Sequence, residues 1–408
     1  MDPAVAVTGI GLITPLGNTP DEVFAALMAG RSGIRLLDGP FGNTPAVAAQ
    51  VDFDPAPWFN RMQLSGVDRV SQFAVAAADL ARRDAGHALE LAPERTGVFL
   101  GCGMGGAQSI ETGYAAHFGA QRLSPLLVVA GMTHAPAAHV AMRMDVAGPA
   151  LTYSVACASS TIAIGEAYRA VLRGEVDVAY AGGAEAPLAP GAVRAWQAMR
   201  TLATPDPDDP STACRPFAID RSGLVLGEGA AVLILERVDR ALARGARIYA
   251  RIAGLGLSCD ASHLTKPAAS GQVRAMRAAL ACAGLDPAEV GYCNAHATAT
   301  QAGDEIECQA LIEVWGEHLA ALAVSSTKSM HGHLLGATGA LEAAITVLAL
   351  HHKRIPPTTH CRNQDPGCAI PLVRDTPREA PELRAAISNS FAFGGSNAVL
   401  AFRRHDAP

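Results

Sequence analysis

Ser154-Val-Ala-Cys157-Ala-Ser-Ser-Thr-Ile-Ala-Ile-Gly165-Glu-Ala-Tyr-Arg-Ala-Val-Leu-Arg173-Gly-Glu-Val176-Asp-Val-Ala-Tyr-Ala181-Gly-Gly183 reads as a turn, a helix and a strand in succession. Small residues surround Cys157, a helical pattern runs from Ser160 to Arg173, and the apolar run Val176–Ala181 is closed by two glycines. Working outward, the same alternation recurs. Strand-like runs lie at Val5–Thr8, Gly97–Leu100, Ala230–Leu235, Ile248–Leu257, Ala321–Ser325 and Ala398–Phe402. Helical patterns lie at Asp21–Met28, Ser71–Asp84, Gln272–Ala283 and Asp304–Leu311. Strands alternating with helices predict an α/β fold. Glycine clusters follow several of the strands, where tight strand-to-helix turns need close backbone approach. Gly101-Cys-Gly-Met-Gly-Gly106 is one of them, but its glycine spacing does not fit a dinucleotide-binding turn.

The chain has 408 residues, half of them hydrophobic and 17% charged, which excludes intrinsic disorder and provides for a large core. Its length suits two or three domains, or one double domain. The net charge of −6 implies no polybasic surface for nucleic acid. Nine cysteines include no C-x-x-C pair, so neither a zinc ribbon nor a thioredoxin-like redox site is indicated. The N-terminus lacks a basic segment followed by an apolar run, and apolar stretches such as Ala343–Leu350 are too short to span a bilayer. The expectation is a cytoplasmic, reduced enzyme that does not enter the membrane. A natural midpoint falls near Arg240–Arg247, between two strands, giving halves of 1–245 and 246–408.

Cys157 at a strand-to-helix turn would meet the positive end of a helix dipole, which favours thiolate. A lone cysteine among alanines is more often a packing residue. Two histidine segments shift that balance. Asn294-Ala-His296-Ala-Thr298-Ala-Thr300 follows one apolar run, and Ser325-Ser-Thr-Lys328-Ser-Met-His331-Gly-His333 follows another. Each puts a histidine at a strand end, where active sites of α/β folds gather. His331 and His333 lack helical spacing and a nearby carboxylate, so no metal site is expected.

The ordered series Cys157, His296, Lys328, His333 and the terminal Asn389-Ser-Phe-Ala-Phe-Gly-Gly-Ser-Asn397-Ala398 resembles the elongating β-ketoacyl-acyl-carrier-protein synthases of the thiolase superfamily. The likeness extends back to Val5-Ala-Val-Thr-Gly9, essentially the whole chain. It implies a five-layered αβαβα body of two similar halves, Cys157 coming from the first and both histidines from the second. It implies a decarboxylative Claisen condensation, with the acyl group held on Cys157 and malonyl-carrier as the extender. His296 and His333 would then bind the thioester carbonyl and stabilise the enolate, and the backbone N–H groups of Cys157 and Phe393 would form an oxyanion hole. Lys328 and Glu342 match positions that support the second histidine, while Thr298 and Thr300 match those that hold the phosphopantetheine arm. Met104, Trp196, Phe391 and Phe393 match the acyl pocket and its gate. Arg122 and Arg200 match positions that dock the acidic carrier protein. No metal and no bound organic cofactor is implied, and the expected assembly is a homodimer or a heterodimer with a chain-length-factor-like paralogue.

The sequence departs from the family pattern at Ala231, Ala297 and Ala392, where glycine is usual, and at His331, where threonine is usual. Ser65-Gly66 replace frequent paired cations, Trp196 a smaller aromatic residue, and Met104 an aliphatic one. Two other readings compete. A chain-length factor, the inactive partner subunit, lacks the nucleophile that Cys157 supplies. A coenzyme-A-dependent thiolase or initiating synthase lacks the Lys328-x-x-x-x-His333 element.

Overall fold

The computed structural model of the chain describes residues 4–37, 39, 45–86 and 88–406. Ten strands form the main sheet: β1 (Val5–Ile13), β2 (Thr96–Gly101), β3 (Ala150–Tyr153), β4 (Val178–Glu185) and β5 (Gly229–Arg237), then β6 (Ala250–Cys259), β7 (Val290–Asn294), β8 (Ala323–Ser325), β9 (Ala385–Phe391) and β10 (Ser396–Arg403). Their order is β8-β7-β9-β10-β6-β1-β5-β4-β2-β3. Read from the middle outward, each half has the order first, fifth, fourth, second, third. In both, the first, fifth and fourth strands pair antiparallel, and the fourth, second and third pair parallel. The halves meet antiparallel through Val5–Val7 against Ala250–Ile252.

Six helices make the covering layers: α1 (Arg69–Asp84), α2 (Ala135–Met144), α3 (Ser159–Leu172), α4 (Ala269–Ala283), α5 (Gln301–Trp315) and α6 (Thr338–His352). α1 and α2 pack outside the first half, α4 and α5 outside the second, and α3 and α6 lie between the two. Five αβαβα layers result, as the family resemblance implies. The middle helices take up part of the chain's hydrophobic half. α6 is buried at every residue from Thr338 to Leu350, so its apolar run serves a helix enclosed on all sides. Among the described residues no helix is long and apolar enough to cross a membrane. Strands β4 and β5 are likewise buried on both faces, which is why they read as continuous apolar runs without alternation. At the outer edge β3 remains half exposed.

The layers are capped and stapled by specific polar contacts. Asp68 caps α1 by accepting the Val70 N–H at 3.0 Å. Behind the site, buried Glu185 at the end of β4 accepts N–H bonds from Gly103 at 2.7 Å, Met104 at 3.0 Å and Gly336 at 2.9 Å. One carboxylate thereby ties a loop of the first half to a turn of the second. A Cβ on Gly336 would stand 2.5 Å from Glu185 Oε2, so the approach requires glycine there.

Candidate active site

The site is assembled from the C-terminal ends of four strands. Cys157 lies between β3 and α3, His296 follows β7, His333 follows β8, and Phe393 sits in the turn from β9 to β10. Ala156, beside the nucleophile candidate, has φ +45°, a left-handed conformation that turns the chain sharply into α3. In the terminal turn Gly394 and Gly395 take φ +86° and +77°, values that suit glycine.

Cys157 Sγ lies 3.0 Å from His333 Nε2, and His333 Nδ1 lies 2.9 Å from Thr338 Oγ1 at the start of α6. The His296 ring stands edge-on to His333 with centroids 5.4 Å apart, and its Nδ1 has no hydrogen-bond partner. The main chain at His296 is held by Glu307 on α5, which accepts N–H bonds from His296 at 2.9 Å and Ala297 at 2.7 Å. Asn389 Nδ2 donates to the same carboxylate at 2.9 Å. Lys328 Nζ bonds Glu342 Oε1 at 2.5 Å, with both side chains wholly buried.

Burial sets the protonation of the group. It pushes the Cys157 thiol up to about 11, against the opposing pull of Lys328 and of the Phe393 and Cys157 backbone N–H groups. Cys157 therefore rests as the thiol, contrary to the expectation from position alone: desolvation outweighs Lys328 and the two N–H groups. Burial, with the Lys328 charge behind it, also holds His296 and His333 well below the usual histidine range, so both rings are neutral. Burial pushes the Glu342 carboxyl up while Lys328 opposes it. His331, the unusual residue, is fully buried and engaged: its Nε2 lies 2.9 Å from Thr327 Oγ1 and its Nδ1 2.8 Å from the Gly332 carbonyl.

Ligand atoms of Cys157, His296 and His333 lie within 4.8 Å of one another, a donor set that zinc would accept. These are the residues that the family resemblance groups for catalysis; their ligand-like closeness follows from the fold, since they are far apart in sequence. The Lys328 ammonium already depresses both rings, and a divalent cation beside it would add like-charge repulsion in a low-dielectric site.

These residues open into a cavity of about 260 Å³. Cys157, His296, His333, Thr298, Thr300, Trp196, Phe391 and Phe393 all line it. Trp196 stacks on Phe393 at 6.1 Å between centroids, and Phe391 meets the edge of His296. Met104 is absent from the cavity wall; the residue is 37% exposed. Arg122 lies on a separate surface groove with Arg69 and Gln121, and Arg200 is exposed next to the cavity residue Thr201. Lys328 and Glu342 sit behind the histidines and do not line the cavity. Sequence reasoning missed Glu307, Asn389 as its partner, Thr338 and Glu185. Asp304, Glu307, Cys308, Leu311 and Trp315 mark one buried face of α5, and two carboxylates on such a stripe were the available signal.

The N-terminal domain model of the beta-ketoacyl synthases matches residues 2–241, and the C-terminal domain model matches 249–362. Nodulation protein E of Rhizobium sp. (strain N33) is 42% identical, over 99% of this chain and 100% of that protein. The 3-oxoacyl-[acyl-carrier-protein] synthase 2 of Coxiella burnetii is 39% identical over 98% of each. The solved ishigamide ketosynthase/chain length factor superposes with a TM-score of 0.92 at 35% identity, covering 99% of this chain and 100% of that one. With both domain models matched around the Cys157–His296–His333 cluster, the chain belongs to the beta-ketoacyl synthase family and is a condensing acyltransferase.

Proposed function

We propose that the chain elongates an acyl thioester held on Cys157 with malonyl groups delivered by an acyl carrier protein, in fatty-acid or polyketide synthesis. The observation that carries this reading is the 3.0 Å contact between Cys157 Sγ and His333 Nε2, with His296 beside it on one cavity.

In the first half-reaction Cys157 attacks the acyl thioester as its proton passes to His333 Nε2, and the departing carrier thiol takes up that proton. The N–H groups of Cys157 and Phe393, which already act on the sulfur, receive the carbonyl oxygen as charge develops on it. In the second, the neutral rings of His296 and His333 each offer an N–H to the malonyl thioester carbonyl. The C–CO₂ bond breaks, carbon dioxide leaves, and its electron pair forms the enolate. The enolate carbon attacks the Cys157 thioester carbonyl, the C–S bond breaks, and the Cys157 sulfur leaves as a thiolate that takes a proton from solvent. His333 must accept at Nε2 in the first step and donate there in the second. The Thr338 hydroxyl at Nδ1 serves both tautomers because it can accept or donate. Lys328, paired with Glu342, biases both rings toward neutrality.

Thr298 and Thr300 hold the phosphopantetheine arm, and Trp196, Phe391 and Phe393 bound the acyl chain. Arg122 and Arg200 dock the carrier, whose acidic surface complements them. The thioester itself activates both substrates, so neither metal nor organic cofactor takes part. The chain works in the cytoplasm as a dimer, either with itself or with a chain-length-factor-like paralogue. Its halves, 1–245 and 246–408, repeat one strand order, which supports dividing it there.

The test separates the two half-reactions. Cys157→Ala abolishes acyl loading and elongation, while malonyl decarboxylation partly survives. His296→Ala and His333→Ala each lower decarboxylation about 10²–10³-fold, the usual cost of one oxyanion donor, and reduce loading less. Normal acyl loading by Cys157→Ala would overturn the assignment.

A further inference from the structure

Lys328 and His333 act in the reaction above, while His331, between them, takes no part in it. It is wholly buried and lies outside the cavity wall. Its ring is nevertheless engaged at both nitrogens. Nδ1 lies 2.8 Å from the Gly332 carbonyl oxygen, and Nε2 lies 2.9 Å from Thr327 Oγ1. A carbonyl only accepts, so the proton sits on Nδ1, and the bare Nε2 accepts from the Thr327 hydroxyl. One tautomer satisfies both partners. Burial, and after it the charge of Lys328, pushes His331 down to about 3. The ring is therefore neutral at physiological pH and sets no second charge beside Lys328.

The Gly332 carbonyl and the His333 N–H belong to one peptide plane. His331 Nδ1 donates to the carbonyl at one end of that plane. At the other end the His333 N–H donates to the Val225 carbonyl at 2.7 Å. Held at both ends, the plane fixes the direction in which the His333 side chain leaves the main chain. It needs fixing because Gly332 comes just before. Gly332 takes φ +68° and ψ −167°, and a Cβ there would stand 3.0 Å from Ala49 Cβ and 3.1 Å from the Val225 carbonyl oxygen. Glycine meets both demands, but it restrains its own torsions least of all residues. The far end of the ring is anchored too. Thr327 accepts the Met330 N–H at its carbonyl at 3.0 Å, and its neighbour Ser326 donates its hydroxyl to the Ala297 carbonyl at 2.7 Å, next to His296. The clamp thus ties the His333 peptide plane to the segment that also holds His296.

We propose that His331 is a positioning residue: its ring clamps the Gly332–His333 peptide plane and so aims His333 Nε2 at Cys157 Sγ, 3.0 Å away. This rests on the role given to His333 above and adds the group that keeps it on target. Threonine, the residue usual at this position in the family, carries a hydroxyl that ends well short of the point where Nε2 meets Thr327. The two-ended clamp is therefore a property of the histidine in this chain.

The experiment measures carbon dioxide release from malonyl-acyl carrier protein by the full chain, with thermal melting as a check on the fold. His331→Leu keeps the bulk and removes both bonds. It should lower kcat about tenfold and leave KM within about twofold, because a donor is misaimed while the cavity is unchanged. His331→Asn should return kcat to within about threefold of the unmutated protein, since Asn Nδ2 stands where Nδ1 stood and donates to the same carbonyl. The His333→Ala background separates aiming from packing. There His331→Leu should cost no further activity, because the ring it aims is gone. A further tenfold loss in that background overturns the positioning role, as does an unchanged kcat for His331→Leu when His333 is present. Equal losses for His331→Asn and His331→Leu overturn the Gly332 bond as the working contact. If His331→Leu does not fold, Thr327→Val, which keeps its own shape and frees Nε2, is read in the same two backgrounds. About a threefold loss with His333 and none without it supports the clamp, and any other pattern overturns it. Unchanged carbon dioxide release by His333→Ala alone overturns the role of His333 instead.

Discussion

At the scale of single residues, reactivity here depends on neutral groups held close. Cys157 at about 11 has roughly one thiolate in a thousand molecules at pH 8, so nucleophilicity must come from proton transfer to His333 during attack. The sign is fixed by the raised value: thiolate appears only as pH climbs toward 11. Iodoacetamide alkylation of Cys157, followed by peptide mass spectrometry to exclude the exposed Cys259 and Cys282, should rise about tenfold per pH unit from 7 to 10. A plateau near neutrality would reveal a thiolate–imidazolium pair and defeat this account. Trp196 acts through shape. Its stacking on Phe393 narrows the cavity, a slot that flat, rigid polyene or aryl chains fit better than flexible saturated ones. Trp196→Ala should broaden loading toward longer saturated acyl groups, with about a tenfold change in relative rate across a chain-length series. An unchanged length profile, with only a lower melting temperature, would leave Trp196 as packing.

At the scale of elements, α5 positions chemistry that it does not perform. Glu307 reaches from its buried face to fix the His296–Ala297 main chain, and Asn389 on β9 fixes Glu307. Glu307→Gln turns one acceptor oxygen into a donor facing an N–H. The cost is about 1–3 kcal/mol in stability. Displacement of His296 should lower kcat by about ten- to a hundredfold and change KM less. A raised KM with kcat unchanged would assign Glu307 to substrate binding. Such tertiary roles are what the sequence conceals, because a glutamate on a helix ordinarily marks a solvent face. The strands β1, β2, β4, β5, β8 and β10 were legible as apolar runs, being buried on both faces, and β6 was legible as one although its far end is exposed. Strand β3 was not: it has four residues and sits half exposed at an edge. Strand β9 was missed because Ser388, Asn389 and Ser390 interrupt its apolar run with buried polar side chains, of which Asn389 bonds Glu307 and Ser390 bonds Thr161. Helix α6 was read only as a short apolar stretch, since a helix buried all round shows no period. Cys157, His296 and His333 stood out because small residues frame each at a strand end. Thr338 and Glu307 have no such frame.

At the scale of the molecule, the repeated strand order leaves the two outer edges unequal. The first half ends in β3, where Leu151 is 45% exposed on an unpaired edge. A nearby groove is lined by Met62, Leu126, Val129, Met132 and Met142, all of them exposed. Apolar side chains gathered this way mark an interaction surface, and an open strand edge invites pairing with another chain. The proposed dimer covers both. Sedimentation at micromolar concentration should give twice the 42.0 kDa chain mass, either alone or after co-expression with a chain-length-factor-like paralogue. Leu151→Lys places a charge in that contact and should return the protein toward 42.0 kDa. A chain that stays at 42.0 kDa in both settings would overturn the dimer. Activity should follow association for a local reason. Only Ser154 to Ala156 separate the end of β3 from Cys157, and Ala156 holds the left-handed turn that aims the sulfur at His333. An edge strand clamped by a partner fixes that turn. When the partner leaves, the Leu151→Lys protein should load acyl groups more slowly while decarboxylation, which relies on the histidines of the second half, declines less.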